Sequence, residues 1–462
     1  MAHLLRAGCV WPHRQAGMQR TADIATLGAL GTVSAALYAG LVPIASWLGK
    51  EPLACHPVVV AALFMLYLGG LWLAGCCLPS TPRVVAVILG FAILFRALML
   101  TTPVYLSSDL YRYLWDGRVE WAGYNPYRYP PAAVELEALR DPVISLHINR
   151  PTAVTAYPPG AQWLFALAAR VAPGSIFGWR LLLLGADIAT FGILHRLLRR
   201  AGAPSTALLA YAWSPLVVLE GVQAGHVDLA MILFMLLALT ARLDGASVKA
   251  GVLLGIAVLI KVYPAILLAA WWRRHDWRFP AAVGATVALG YLPYVATLGV
   301  GALGFLPSYF LDRREDFNVG LRALLTWGVG LTGEVPRRLA IVLLLVAVAA
   351  ALAWIGRAHA QARYDTWQAA GLAIGAWLVL GPFSVHPWYV LWMVPFLCMK
   401  PSPGWLYFSG AVALSYTEYL VPSARLPWWA WLGEYGPLFL LLAVGAWRRT
   451  IRLAAPLTVR PT

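Results

Sequence analysis

The chain has 462 residues, of which 61% are hydrophobic and only 12% are charged. That is too little charge to cover the surface of a water-soluble fold of this size, so a soluble enzyme is excluded and a helical membrane protein is expected. The net charge of +15 fits loop arginines that set orientation, or headgroup-level cations facing a phosphate-bearing lipid. It does not point to nucleic acid, because no basic stretch has the length or aromatic interleaving of a binding module.

Apolar stretches able to cross a hydrocarbon core of roughly 30 Å recur along the whole length. They fall near 24–48, 57–78 and 84–102, and after a polar loop at 103–155 they resume near 156–172, 178–198, 204–221, 225–243, 248–271 and 279–299. A second polar loop covers 300–337, and the last group lies near 338–357, 366–383, 387–399, 404–421 and 430–447. The pattern predicts an all-α polytopic bundle of about 12–14 transmembrane helices, a single integral membrane domain over residues 1–462. The 156–172 and 387–399 stretches are its weakest spans. Arg6, Arg14 and Arg20 put the N-terminus inside; alternation then puts both polar loops outside and Arg273, Arg274 and Arg278 inside. Arg199 and Arg200 alone fall on the wrong face, and Met18 competes with Met1 as the start. The five cysteines, Cys9, Cys55, Cys76, Cys77 and Cys398, have neither metal-ligand nor disulfide spacing.

The 103–155 loop holds the densest polar chemistry. Within YLSSDLYRYLWDGRVEWAGYNPYRYPP, residues 105–131, a helix capped at Ser107–Ser108 would align Asp109, Arg112, Asp116 and Glu120 on one face. Gly123 would end it and Tyr124-Asn125-Pro126-Tyr127 would turn the chain. Such an element can lie on a membrane surface with its carboxylates toward a cleft, Tyr111 and Tyr113 anchoring it at the interface. Asp109 is then either a general base at the mouth of that cleft or a carboxylate that only stabilises the helix start. Asp116, Arg118 and Glu120 read as ion-pairing residues that organise the loop.

Further along, Lys261 lies within an apolar segment, where a lysine needs a partner or a polar cavity. It reads either as a phosphate ligand or as the structural partner of a buried carboxylate such as Asp187. His386, with Pro387-Trp388-Tyr389, is either part of an interfacial aromatic belt or a group that binds phosphate or relays a proton; Trp388 and Tyr389 could stack on a sugar. Alternation puts His226 and Asp228 on the side opposite Asp109, as a pair tying two helices, unless an earlier segment fails to cross and Gly225 lets them reach the cavity. In the second loop, Arg313, Arg314 and Asn318 belong either to a solvated turn or to a lid over a phosphate.

The run Ser108-Asp109-Leu110-Tyr111-Arg112-Tyr113-Leu114-Trp115-Asp116-Gly117-Arg118, followed by Gly123-Tyr124-Asn125-Pro126-Tyr127, resembles the first external loop of bacterial polyprenyl-phosphate-mannose-dependent mannosyltransferases of the GT-C superfamily. Tyr157-Pro158-Pro159, Ser214-Pro215-Leu216, Gly225-His226-Val227-Asp228, Lys261-Val262-Tyr263-Pro264, Phe317-Asn318-Val319-Gly320-Leu321 and His386-Pro387-Trp388-Tyr389 extend the likeness over roughly residues 100–400. The resemblance implies a GT-C-like bundle and an inverting hexose transfer, most often of mannose, from a polyprenyl-phosphate donor to a lipid-linked or glycan acceptor. It implies that the chemistry faces outward across a bacterial inner membrane, with Asp109 as base and His386 beside it. Lys261, Tyr263, Arg112, Asn318, Trp388 and Tyr389 would then contact the donor. Many relatives carry two adjacent acids where this chain has Ser108-Asp109, and a lone carboxylate is a poor divalent-metal site, so no metal and no cofactor is expected. The competing class, a transporter or flippase of lipid-linked sugars, would show paired repeats with matching helix breaks, whereas here the polar chemistry gathers in one loop.

Overall fold

The computed structural model describes residues 20–327, 333–421 and 425–454. Arg6, Arg14, Cys9, Met18 and residues 328–332 of the second loop lie outside the described residues. Every regular element among them is helical. Helix starts obey local signals: Pro52 and Pro82 occupy first turns, where a missing N–H is tolerated, and Thr81 accepts from the Val84 amide at 3.4 Å. Asp365 and Gln368 form a reciprocal capping box, and Gly202 ends the Ile176–Ala201 helix in the left-handed region.

Among the described residues, seven helices are long and apolar enough to cross a membrane: Asp23–Trp47, Pro52–Cys76, Pro82–Leu100, Ile176–Ala201, Arg278–Leu311, Glu334–Ala360 and Trp428–Arg448. An eighth is counted if Ser205–Ala212 and Val217–Gln223, bent by 59°, form one span. The chain is therefore an all-α polytopic membrane protein, but the 12–14 uniform spans expected from hydropathy resolve into fewer continuous ones. The 156–172 stretch is a helix of 13 residues, Pro159–Val171. The 248–271 stretch ends its regular helix at Ile260, and 387–399 holds two helices of four residues each, Pro387–Val390 and Val394–Leu397.

These interrupted stretches form the interior. Residues 206–232 and 387–398 are buried without a break. Irregular backbone is tolerated at membrane depth only where protein or a cavity surrounds it, and that is where it lies here. A hydropathy window counts apolar side chains alike, whether they face lipid or protein.

The break at 213–227 also reverses an expected direction. Arg180 donates to the Thr102 carbonyl at 2.6 Å and also bonds the Gln223 carbonyl, while Trp179 bonds the Gly225 carbonyl at 2.8 Å. At the far ends of the same helices, Arg200 pairs with Asp244 and Arg242 with Asp276. The Ile176–Ala201 and Asp228–Leu243 helices thus run the same way, and His226 and Asp228 sit at the Asp109 end rather than opposite it. The same pairings gather Arg199 and Arg200 at one end with Arg273, Arg274 and Arg278, which removes the single orientation conflict.

Candidate active site

The Asp109–Trp121 helix begins at the expected acid, although Ser108 makes no side-chain cap; the Ser107 hydroxyl accepts from the Asp109 amide at 3.2 Å instead. Gly123, at φ +84°, follows its end, and Asn125 Oδ1 accepts from the Tyr127 amide at 2.9 Å, fixing the expected turn. The helix is not a surface element. Leu110, Arg112, Tyr113, Trp115, Asp116 and Gly117 are all buried, because the sequence lets backbones approach closely. A Cβ on Gly117 would lie 2.2 Å from the Phe165 carbonyl oxygen, and one on Gly160 would lie 2.9 Å from Leu259 backbone. The first-loop helix thus packs on Pro159–Val171, which packs on the end of Ser247–Ile260, and Lys261 emerges on the wall of the same cavity as Asp109.

The product of this packing is a cavity of about 430 Å³. Its wall takes in seven of the residues singled out in the sequence: Asp109, Arg112, Lys261, Tyr263, His386, Trp388 and Tyr389. The half-buried Asp109 carboxylate accepts from Asn149 Nδ2 at 2.8 Å through Oδ1 and from the Tyr157 hydroxyl at 3.2 Å through Oδ2. Two donors leave it fixed in direction with lone pairs still available to the cavity.

Arg112 is buried. Its Nε donates to Asp116 at 2.7 Å and its Nη1 to the Ala153 carbonyl at 3.1 Å, so it clamps the 149–153 turn against the helix. Tyr113, expected at the membrane interface, is buried, stacks on Phe165 at 4.8 Å and comes within 3.4 Å of the Tyr157 hydroxyl. The apolar contacts on both sides of this helix hold it inside the protein.

Lys261 pairs with Asp228, its Nζ lying 2.9 and 2.7 Å from the two carboxylate oxygens; the partner is not Asp187, which bonds Arg96. Trp392 Nε1 donates to Asp228 at 2.6 Å, and the ammonium lies 4.8 Å from the Tyr389 ring centre. Tyr389 accepts from Tyr263 at 3.2 Å and shares a 2.8 Å bond with Tyr309. His226 does not pair with Asp228: its Nδ1 lies 3.5 Å from the Tyr113 hydroxyl and its Nε2 3.5 Å from Glu220. Its ring stacks under Trp388 at 4.0 Å, Trp388 on His386 at 4.3 Å, and His386 on Phe317 at 4.7 Å. This column of four rings places the His386 edge at the cavity. Burial, then the charges of Lys261 and Arg150, hold its imidazole down to about 3, so the ring is neutral.

Besides His226 and Asp228, which sit behind the cavity wall, three candidates lie away from it. Asn318, at φ +42°, turns its amide inward to Glu434 (2.8 Å) and the Val385 carbonyl (3.2 Å), tying the second loop to the segment that carries His386. Arg314 is 87% exposed and pairs with its neighbour Asp312, and Arg313 faces Glu334 at 3.7 Å. Both arginines point into the charged surface of the loop because the adjacent carboxylates are their nearest partners. Sequence reasoning passed over Asn149, Arg150, Tyr309, Tyr416 and Tyr419, all on the cavity wall. Asn149 and Arg150 carry no periodic signal; the only hint was their place in the loop that holds Asp109.

Residues 17–273 match the family model described as alpha-(1->6)-mannopyranosyltransferase, N-terminal domain, of the MptA_B family. That stretch includes Asp109, Tyr157, His226, Asp228, Lys261 and Tyr263. No curated protein matches the chain.

Proposed function

The chain belongs to this family of mannosyltransferases, and from that premise we propose that it uses a polyprenyl-phosphate mannose donor in a GT-C-type reaction. The acceptor would be a lipid-linked or glycan hydroxyl at the extracytoplasmic face of a bacterial inner membrane. The observation that carries this reading is the geometry of Asp109, a carboxylate oriented by Asn149 and Tyr157 on the wall of an aromatic cavity that also holds Lys261 and His386.

In the proposed step Asp109 takes the proton of the acceptor hydroxyl as its oxygen bonds the anomeric carbon. The bond from that carbon to the phosphate oxygen breaks, and its electron pair leaves on the lipid phosphate. The transition state is oxocarbenium-like, so the departing phosphate gathers charge that nearby cations and hydroxyl donors stabilise. Lys261 and the bonded Tyr309–Tyr389 hydroxyl pair supply such groups, Tyr263 donating to Tyr389 from behind; Trp388 offers a face for the sugar, and neutral His386 offers a hydrogen-bonding nitrogen. Asp228, His226 and Asn318 act one layer back, and Arg112, on the wall but bonded to Asp116 and the Ala153 carbonyl, holds the 149–153 turn in place. An inverting displacement that makes an α bond requires a β-linked donor, and a (1->6) linkage, as in the family's description, requires a primary hydroxyl as nucleophile.

Purified protein given radiolabelled polyprenyl-phosphate mannose and membrane-lipid or glycan acceptors should yield a mannosylated product, whose mass and anomeric configuration identify acceptor and stereochemistry. Asp109→Asn is expected to lower transfer by about 10²–10⁴-fold with unchanged yield of folded protein. A variant that turns over normally would end the assignment of the base.

A further inference from the structure

The cavity holds three cations, and each already has a carboxylate: Arg112 with Asp116, Lys261 with Asp228, and Arg150 with Glu315. They are not equally free to meet a ligand. Both oxygens of Asp228 lie on the Lys261 ammonium, and the Tyr389 ring lies beside it. Arg112 is buried, with Nε on Asp116 and Nη1 on a backbone carbonyl; its Nη2 meets no partner among the described residues but is sealed from solvent. Arg150 differs: its side chain is 42% exposed at the cavity, and only its Nε and Nη2 edge is taken, by the two oxygens of Glu315. Its Nη1 makes no hydrogen bond to a described residue.

The placement of Arg150 is built. It adopts φ +50°, a left-handed conformation rare for a non-glycine side chain. Its carbonyl accepts from the Ala153 amide at 3.0 Å, and the Ala153 carbonyl is held by Arg112. The residue before it, Asn149, orients Asp109. Glu315 is fixed from behind, its carbonyl accepting from the Ser384 hydroxyl, which also accepts from the Phe317 amide at 2.9 Å. One strained turn therefore delivers both the amide that aims the base and a half-free guanidinium, and the second loop holds that guanidinium by one edge. A planar fork held on one side and open on the other suits a tetrahedral oxyanion.

We propose that Arg150 is the ligand of the donor's phosphate and that Glu315 is the positioning residue that presents it. This rests on the polyprenyl-phosphate reading above and assigns its phosphate subsite to residues of both loops rather than to Lys261 alone.

The test measures binding of polyprenyl phosphate, without sugar, to the detergent-solubilised full chain, alongside polyprenol. Arg150→Ala is expected to weaken polyprenyl phosphate binding by about ten- to a hundredfold and leave polyprenol unchanged, and Arg150→Lys to recover part of the loss. Glu315→Ala should weaken binding less, and add nothing in the Arg150→Ala background. Inorganic phosphate at high concentration should compete in the wild type and not in Arg150→Ala. Unchanged phosphate binding in Arg150→Ala, equal loss of polyprenol, or an undiminished Glu315→Ala effect in that background would each overturn the assignment. So would phosphatidylglycerol competing as well as polyprenyl phosphate, since the subsite would then take any lipid phosphate. Wild-type transfer from polyprenyl-phosphate mannose is measured in parallel. Its absence defeats the donor reading, whereas normal wild-type transfer with an unaffected Arg150→Ala defeats the Arg150 assignment alone.

Discussion

Two ion pairs in apolar surroundings have the same chemistry and different neighbours. Arg96 and Asp187 are sealed in the bundle: the Tyr211 hydroxyl donates to Asp187 at 2.7 Å, and Arg96 Nη1 donates to the carbonyls of Ala212 and Ala92 at 2.8 and 3.1 Å. Lys261 and Asp228 are just as well paired, but Lys261 stands on the wall of the cavity. A charge taken out of water must find a counter-charge wherever it lies. Pairing therefore says nothing about function; open space beside the pair does.

The largest expected effect tests the sealed pair. Asp187→Ala leaves the Arg96 guanidinium buried without its counter-charge, which costs about 3–5 kcal/mol and should show as a loss of folded, monodisperse protein. The two pairs then separate under one kind of substitution. Replacing both partners with apolar residues of similar volume, Arg96→Met with Asp187→Leu, should leave thermal stability and mannosyl transfer near wild type. Lys261→Met with Asp228→Leu should likewise preserve stability yet lower transfer by about 10²–10³-fold, because an electrostatic donor is lost from the cavity. If both double variants behave alike, open space beside the Lys261–Asp228 pair plays no part in transfer.

A smaller effect is expected where packing delivers Lys261 to the cavity. Gly160→Ala forces a methyl against Leu259 backbone and should cost about 1–3 kcal/mol, seen as a lower melting temperature together with reduced transfer. The smallest concerns His386. A histidine whose value is lowered to about 3 stays neutral when pH rises from about 5 to 8, so it adds no ionisation step there. His386→Gln should lower the rate by one factor across that range, and a step that disappears from the pH profile would contradict the neutral ring.

Asp109 was legible because a helix start, an acid and a run of aromatic residues coincide in one polar loop, and Gly123 and Asn125 carried their turn chemistry openly. Lys261 and His386 stood out as polar residues in apolar surroundings. Asn149 and Arg150 did not, since irregular loop backbone has no period to read and the left-handed turn at Arg150 bears no glycine. The partner of Lys261 was misplaced for a related reason: Asp187 and Asp228 both lie in apolar stretches, and only the bend before Asp228 brings it to the lysine.

The sequence by itself determined the membrane class, the helical content and the identity of the polar loop, because hydropathy and cap residues act locally along the chain. Tertiary structure alone decided which apolar stretches form continuous helices long enough to cross a bilayer and which form the interior, and which end of the bundle each polar residue occupies. Those outcomes depend on where helices break and how closely backbones approach at Gly117 and Gly160, and such contacts between distant segments leave no local pattern to read.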